Sequence, residues 1–135
     1  MLPALAAYAT VTIVMVAIDL LWIGVIARPL YQQGIGHLMA ERPFVPAAVL
    51  FYAVYALGLM LFAVLPGEQG ASWLKVAGKA ALFGFFAYAT YDLTNLATLK
   101  QWPVGLSVLD MAWGSLVSAV SAAAGKAVLD RLAAG

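Results

Sequence analysis

Asp19, Asp92 and Asp110 lie inside stretches that are otherwise apolar enough to cross a bilayer. A carboxylate in hydrocarbon costs roughly 2.5–3.5 kcal/mol at a helix centre on insertion scales, so acids placed there need partners, water or a bound ligand. Their neighbours can supply such partners. Tyr88, Asp92 and Asn95 follow the four-then-three spacing of one helical face, with Tyr91 alongside. A phenol donates to a carboxylate, and the Asn95 amide both donates and accepts. Asp19-Leu20-Leu21-Trp22 and Asp110-Met111-Ala112-Trp113 each set an acid and an indole three residues apart, again on one helical face. Carboxylates among aromatic rings suit the binding or passage of a proton, a cation or a small polar molecule. Two carboxyl groups in a low dielectric can also divide into general acid and general base, so a membrane enzyme acting on a lipid or quinone-like substrate is the alternative. Against it, no nucleotide motif or obvious nucleophile is present, and Ser107, Ser118 and Ser121 have no histidine near them in sequence. A third reading makes the polar layer a structural clasp, in this chain alone or in an accessory subunit of a membrane complex.

The elements that must position these residues are membrane helices. Of 135 residues 65% are apolar and 10% charged, and the mean hydropathy is +0.98, outside the usual composition of a water-soluble domain. Apolar runs at about 2–27, 44–65, 73–99 and 104–127 each reach the roughly 20 residues a bilayer core requires. Breakers separate them: Arg28-Pro29 and Arg42-Pro43 bracket the first loop, Pro66-Gly67 with Gly70 makes the second, and Lys100-Gln101-Trp102-Pro103 the third. The pattern predicts an all-α integral membrane protein, a four-helix antiparallel bundle forming a single transmembrane domain over 1–135. No Lys or Arg precedes the first run, which reads as a retained span rather than a cleaved leader. Lys75, Lys79, Lys126 and Arg131 fall on the side of the termini, and Arg28, Arg42 and Lys100 fall opposite. Four against three favours cytoplasmic termini.

With that topology the acids share a depth. Asp19 is eight residues before Ala27, Asp92 seven before Leu99 and Asp110 six after Val104, so at 1.5 Å per residue each lies about 9–12 Å in from one side. The second span enters from the same side and brings Tyr52 and Tyr55 to that level. The candidate ligand-binding set is therefore Asp19, Trp22, Tyr52, Tyr55, Tyr88, Tyr91, Asp92, Asn95, Asp110 and Trp113; no catalytic residue is assigned. Trp22 and Trp113 sit inside their spans and are expected to pack beside the acids, whereas Trp73 and Trp102, at span ends, fit an interfacial belt. Gly114, Ser118 and Ala122 form a small-residue row suited to close helix contact, within the protomer or between copies. Because the first and fourth spans run oppositely, their shared Asp-x-x-Trp pattern hints at inverted halves.

The chain has no cysteine and one histidine. Thiol chemistry is excluded and zinc is disfavoured, whereas a hard cation could use the three acids, Asn95 and water. No metal or cofactor is assigned. His37, in a Gly-rich loop, reads as solvated, with a proton shuttle at the mouth of the polar layer as its functional alternative. The net charge of +1 comes with scattered basic residues, so nucleic acid is not a partner. The expected partners are the lipid bilayer and either further copies of the chain or a larger membrane complex.

The run from Ala87 to Lys100, followed by Trp102-Pro103, Asp110 and Trp113-Gly114, resembles a family of small bacterial inner-membrane proteins catalogued as domain of unknown function 2177. Asp19 to Gly24, Tyr31 and the stretch Phe51-Tyr52-x-x-Tyr55-x-x-Gly58, ending at Pro66, are similar to it as well. The resemblance implies a multi-pass four-helix protein of the bacterial inner (plasma) membrane. It carries over no activity and no catalytic residues.

Overall fold

A computed structural model describes residues 1–66 and 72–134. Among them the chain is all-helical, with no strand and five α-helices: α1 (Leu2–Leu21), α2 (Arg28–Ile35), α3 (Val45–Leu59), α4 (Trp73–Thr98) and α5 (Val104–Ala134). Prolines occupy the first turns of α1, α2 and α3, where the missing N–H costs nothing and the fixed φ favours helix. The Ser72 hydroxyl caps α4 by accepting from the Leu74 N–H at 3.0 Å. α1 and α3 each run on into a wider π turn, Trp22–Ile26 and Met60–Val64.

Three segments are long and apolar enough to cross a membrane: Leu2–Ile26, Val45–Val64 and Val104–Ala134. α4, at 26 residues, has the length, about 39 Å, but Tyr88, Tyr91, Asp92, Thr94 and Asn95 dilute its apolar character. The expected four-helix count is also changed by the first loop, which folds into α2 and a 3₁₀ turn at Gly36–Leu38. Of the second loop, the part from Gly67 through Gly70 lies outside the described residues.

α5 is the central element, packed along α4 on one side and α1 on the other. Its small residues allow this. A side chain at Gly114 would collide with the Tyr88 ring of α4, one at Gly84 with the Gly114 carbonyl and Ser118, and one at Gly125 with Val11 of α1. The row of small residues therefore works inside the protomer. Ala7, Val11, Met15, Leu59 and Val117 form the buried core, while Ile13, Val49, Val54, Phe86 and Leu116 face outward, the surface a lipid solvent favours. The chain reverses between α4 and α5 within a few residues, helped by Gln101 at φ 60°.

Candidate functional site

The ends of α1, α4 and α5 nearest the short α4–α5 turn, with α2 and the start of α3, border a cavity of about 440 Å³. At its back the two Asp-x-x-Trp patterns meet. The Trp22 and Trp113 rings stack with centroids 4.4 Å apart and planes 7° from parallel, Trp22 standing at the first position of the π turn. Each indole serves the acid of the other pattern. Trp113 Nε1 donates to Asp19 Oδ1 at 2.9 Å. Trp22 Nε1 donates to the Tyr31 hydroxyl at 3.4 Å, and that hydroxyl donates to Asp110 Oδ1 at 2.7 Å. The second oxygen of Asp19 accepts from the Tyr52 hydroxyl at 2.5 Å. Asp19 is thus bonded at both oxygens by neutral donors from two other helices.

Asp92 is placed differently. It is 2% exposed, and its Oδ2 has no hydrogen-bond partner among the described residues. Its carboxyl group lies within hydrogen-bonding reach of Asp110 and beside the Trp102 indole nitrogen. The Trp102 Nε1 is itself buried and makes no hydrogen bond of good geometry among the described residues. Two adjacent carboxyl groups draw a proton or a cation into the space between them.

The remaining wall is aromatic. Tyr88 lies over Gly114 and meets Tyr55 edge-on at 6.0 Å, Tyr55 shares a 2.7 Å hydrogen bond with the Ser118 hydroxyl, and Tyr91 meets Trp102 edge-on at 5.9 Å. Tyr31 reaches the site from α2, outside the spans. Burial, and the hydrogen bond it gives Asp110, hold its phenol above the ordinary pKa. α2 is seated closely: a Cβ at Gly34 would come within 3.0 Å of both Leu106 and Pro103.

Residues 4–127 match the family model described as predicted membrane protein, DUF2177. The chain belongs to this family. No curated protein and no solved structure matches it. The part of the chain that makes it a DUF2177 member contains every residue of the cavity wall.

Of the ten residues singled out in this DUF2177 chain, Asp19, Trp22, Tyr55, Tyr88, Tyr91, Asp92, Asp110 and Trp113 line the cavity. Tyr52 stands behind it, holding Asp19, and Asn95 lies outside the wall beside Tyr91. Two polar residues of the wall were not among the ten. Trp102, expected in an interfacial belt, lines the cavity instead, because the tight α4–α5 turn folds it back over Tyr91. Tyr31 falls in the first loop of the sequence pattern; Pro29, three positions after the π turn's Ile26, is the local signal of the helix that carries it. His37 is exposed and takes no part in the wall. Trp73 is exposed at the start of α4. Among the described residues no group of three or more His, Asp and Glu converges on a point where a metal ion would sit; the three acids share the cavity without meeting at one centre.

Proposed function

We propose that this protein is a multi-pass protein of the bacterial inner membrane whose cavity binds, or passes, a proton, a cation or a small polar molecule. In this reading α1, α3, α4 and α5 form a four-helix antiparallel bundle across the bilayer, with Tyr88 and Asp92 of α4 turned toward α5 while Tyr91 and Thr94 stay exposed. The termini are cytoplasmic, by the excess of Lys and Arg on their side, and the cavity opens toward the opposite face. Four spans are few for a transporter, so self-association, or membership of a larger membrane complex, belongs to the proposal.

The observation that carries the reading is Asp92 Oδ2: an acceptor buried on a cavity wall with no hydrogen-bond partner among the described residues. Leaving such a group unpaired costs about 1–3 kcal/mol, which a ligand donor would recover. Reconstituted into liposomes, wild type should bind or pass a ligand that Asp92→Asn does not, while both remain folded. Equal behaviour of the two proteins refutes the proposal. The clasp reading has its own observation in Asp19, whose bonds to Tyr52 and Trp113 tie α1 to α3 and α5. It predicts loss of folded yield, not of ligand response, when its acid is removed.

A further inference from the structure

The cavity's lining narrows the ligand, an inference that rests on the binding reading above. The wall holds three carboxyl groups and eight aromatic rings, with no Lys, Arg or His among the described residues. Its charge can therefore be only negative or neutral, which disfavours phosphates, carboxylates and other anions. Size separates the candidates that remain. A cavity of 440 Å³ has room for roughly fifteen water molecules at about 30 Å³ each, far more than a proton or bare metal ion occupies. Filling that space with water alone would set it against walls that are mostly hydrocarbon and ring. An apolar body suits the space better.

The polar features are also fixed in advance. The stacked Trp22–Trp113 wall is held by hydrogen bonds to Asp19 and Tyr31, so it presents a rigid aromatic face without being ordered at the moment of binding. Opposite in chemical sense and close together stand two unmet groups, the acceptor Asp92 Oδ2 and the donor Trp102 Nε1. We infer that the cavity takes a protonated amine with an apolar, partly aromatic body: the ammonium N–H groups donate to Asp92 Oδ2, with Asp110 beside it, and the body lies among the rings. The charge gains from the carboxyl pair and from the aromatic faces together. A hydroxyl or carbonyl oxygen on the ligand would accept from Trp102 Nε1.

The test compares three probes of nearly equal shape on the purified full-length protein: phenethylamine, 2-phenylethanol and phenylacetate, read by isothermal titration and thermal shift. Phenethylamine should bind at least tenfold more tightly than the alcohol, and the acid should not bind. Asp92→Asn should bring amine and alcohol to within about threefold of each other. The wild-type comparison stands even if that variant fails to fold. Equal binding of amine and alcohol overturns the amine inference and leaves a binding cavity. Absence of amine binding, with proton flux in liposomes that Asp92→Asn abolishes, overturns the inference while the binding reading survives with the proton as its ligand. With no binding and no flux, both fall.

Discussion

Asp19 and Asp92 line one cavity from α1 and α4, the two helices that flank α5, yet their surroundings are opposite in kind. Asp19 accepts from Trp113 and Tyr52 at 2.9 and 2.5 Å; Asp92, more deeply buried, keeps an oxygen with no donor. The first arrangement spends an acid on joining three helices. The second leaves one unmet where a cavity begins. Burial alone ranks Asp92 as the deeper of the two, and the inventory of donors adds that it is also the less satisfied.

The largest effect should come from Asp19→Ala. Loss of hydrogen bonds to an ionisable group is expected to cost about 1.5–3 kcal/mol, seen as a lower melting midpoint and poor folded yield in detergent. Asp92→Asn should change stability by less than about 1 kcal/mol in either direction, since it removes no protein hydrogen bond from Oδ2. A loss as large as that of Asp19→Ala would erase the contrast. Gly114→Ala comes next. Its methyl group meets the Tyr88 ring, and overpacking of that kind costs about 1–3 kcal/mol; displacement of the ring should also weaken any ligand response. Tyr52→Phe leaves one Asp19 oxygen without its donor and should cost about 0.5–1.5 kcal/mol in the same melt. Tyr31→Phe frees Asp110 on the ligand side, so it should alter ligand response more than it alters the melt. The smallest effect belongs to His37→Ala, which should fall within about 0.5 kcal/mol of wild type and leave ligand response unchanged.

The convergence of the acids was legible because helical rise is fixed: distances from three span ends place Asp19, Asp92 and Asp110 at one level without knowledge of packing. The inward position of Trp22 and Trp113 followed from the same count. What escaped depends on tertiary contact. Tyr52 and Tyr55 are three residues apart on one face, and nothing local says that one holds Asp19 while the other turns to Ser118. Tyr31 is buried only because α2 settles against Leu106 and Pro103, a seat no periodicity records. Trp102 sits where a membrane belt would put it, and the chain reversal decides otherwise. The π turns after Leu21 and Leu59 have no pattern in the residues that form them.

The bond from Trp113 to Asp19 joins residues 94 positions apart, and this orders events during synthesis. At about 5–20 residues per second, the acid near the end of the first helix is made some 5–20 s before the indole that completes its shell. Tyr52, nearer in the chain, can reach it sooner. Until the last helix emerges from the ribosome the aromatic stack does not exist, so a product truncated before that helix would enter the bilayer without a formed cavity.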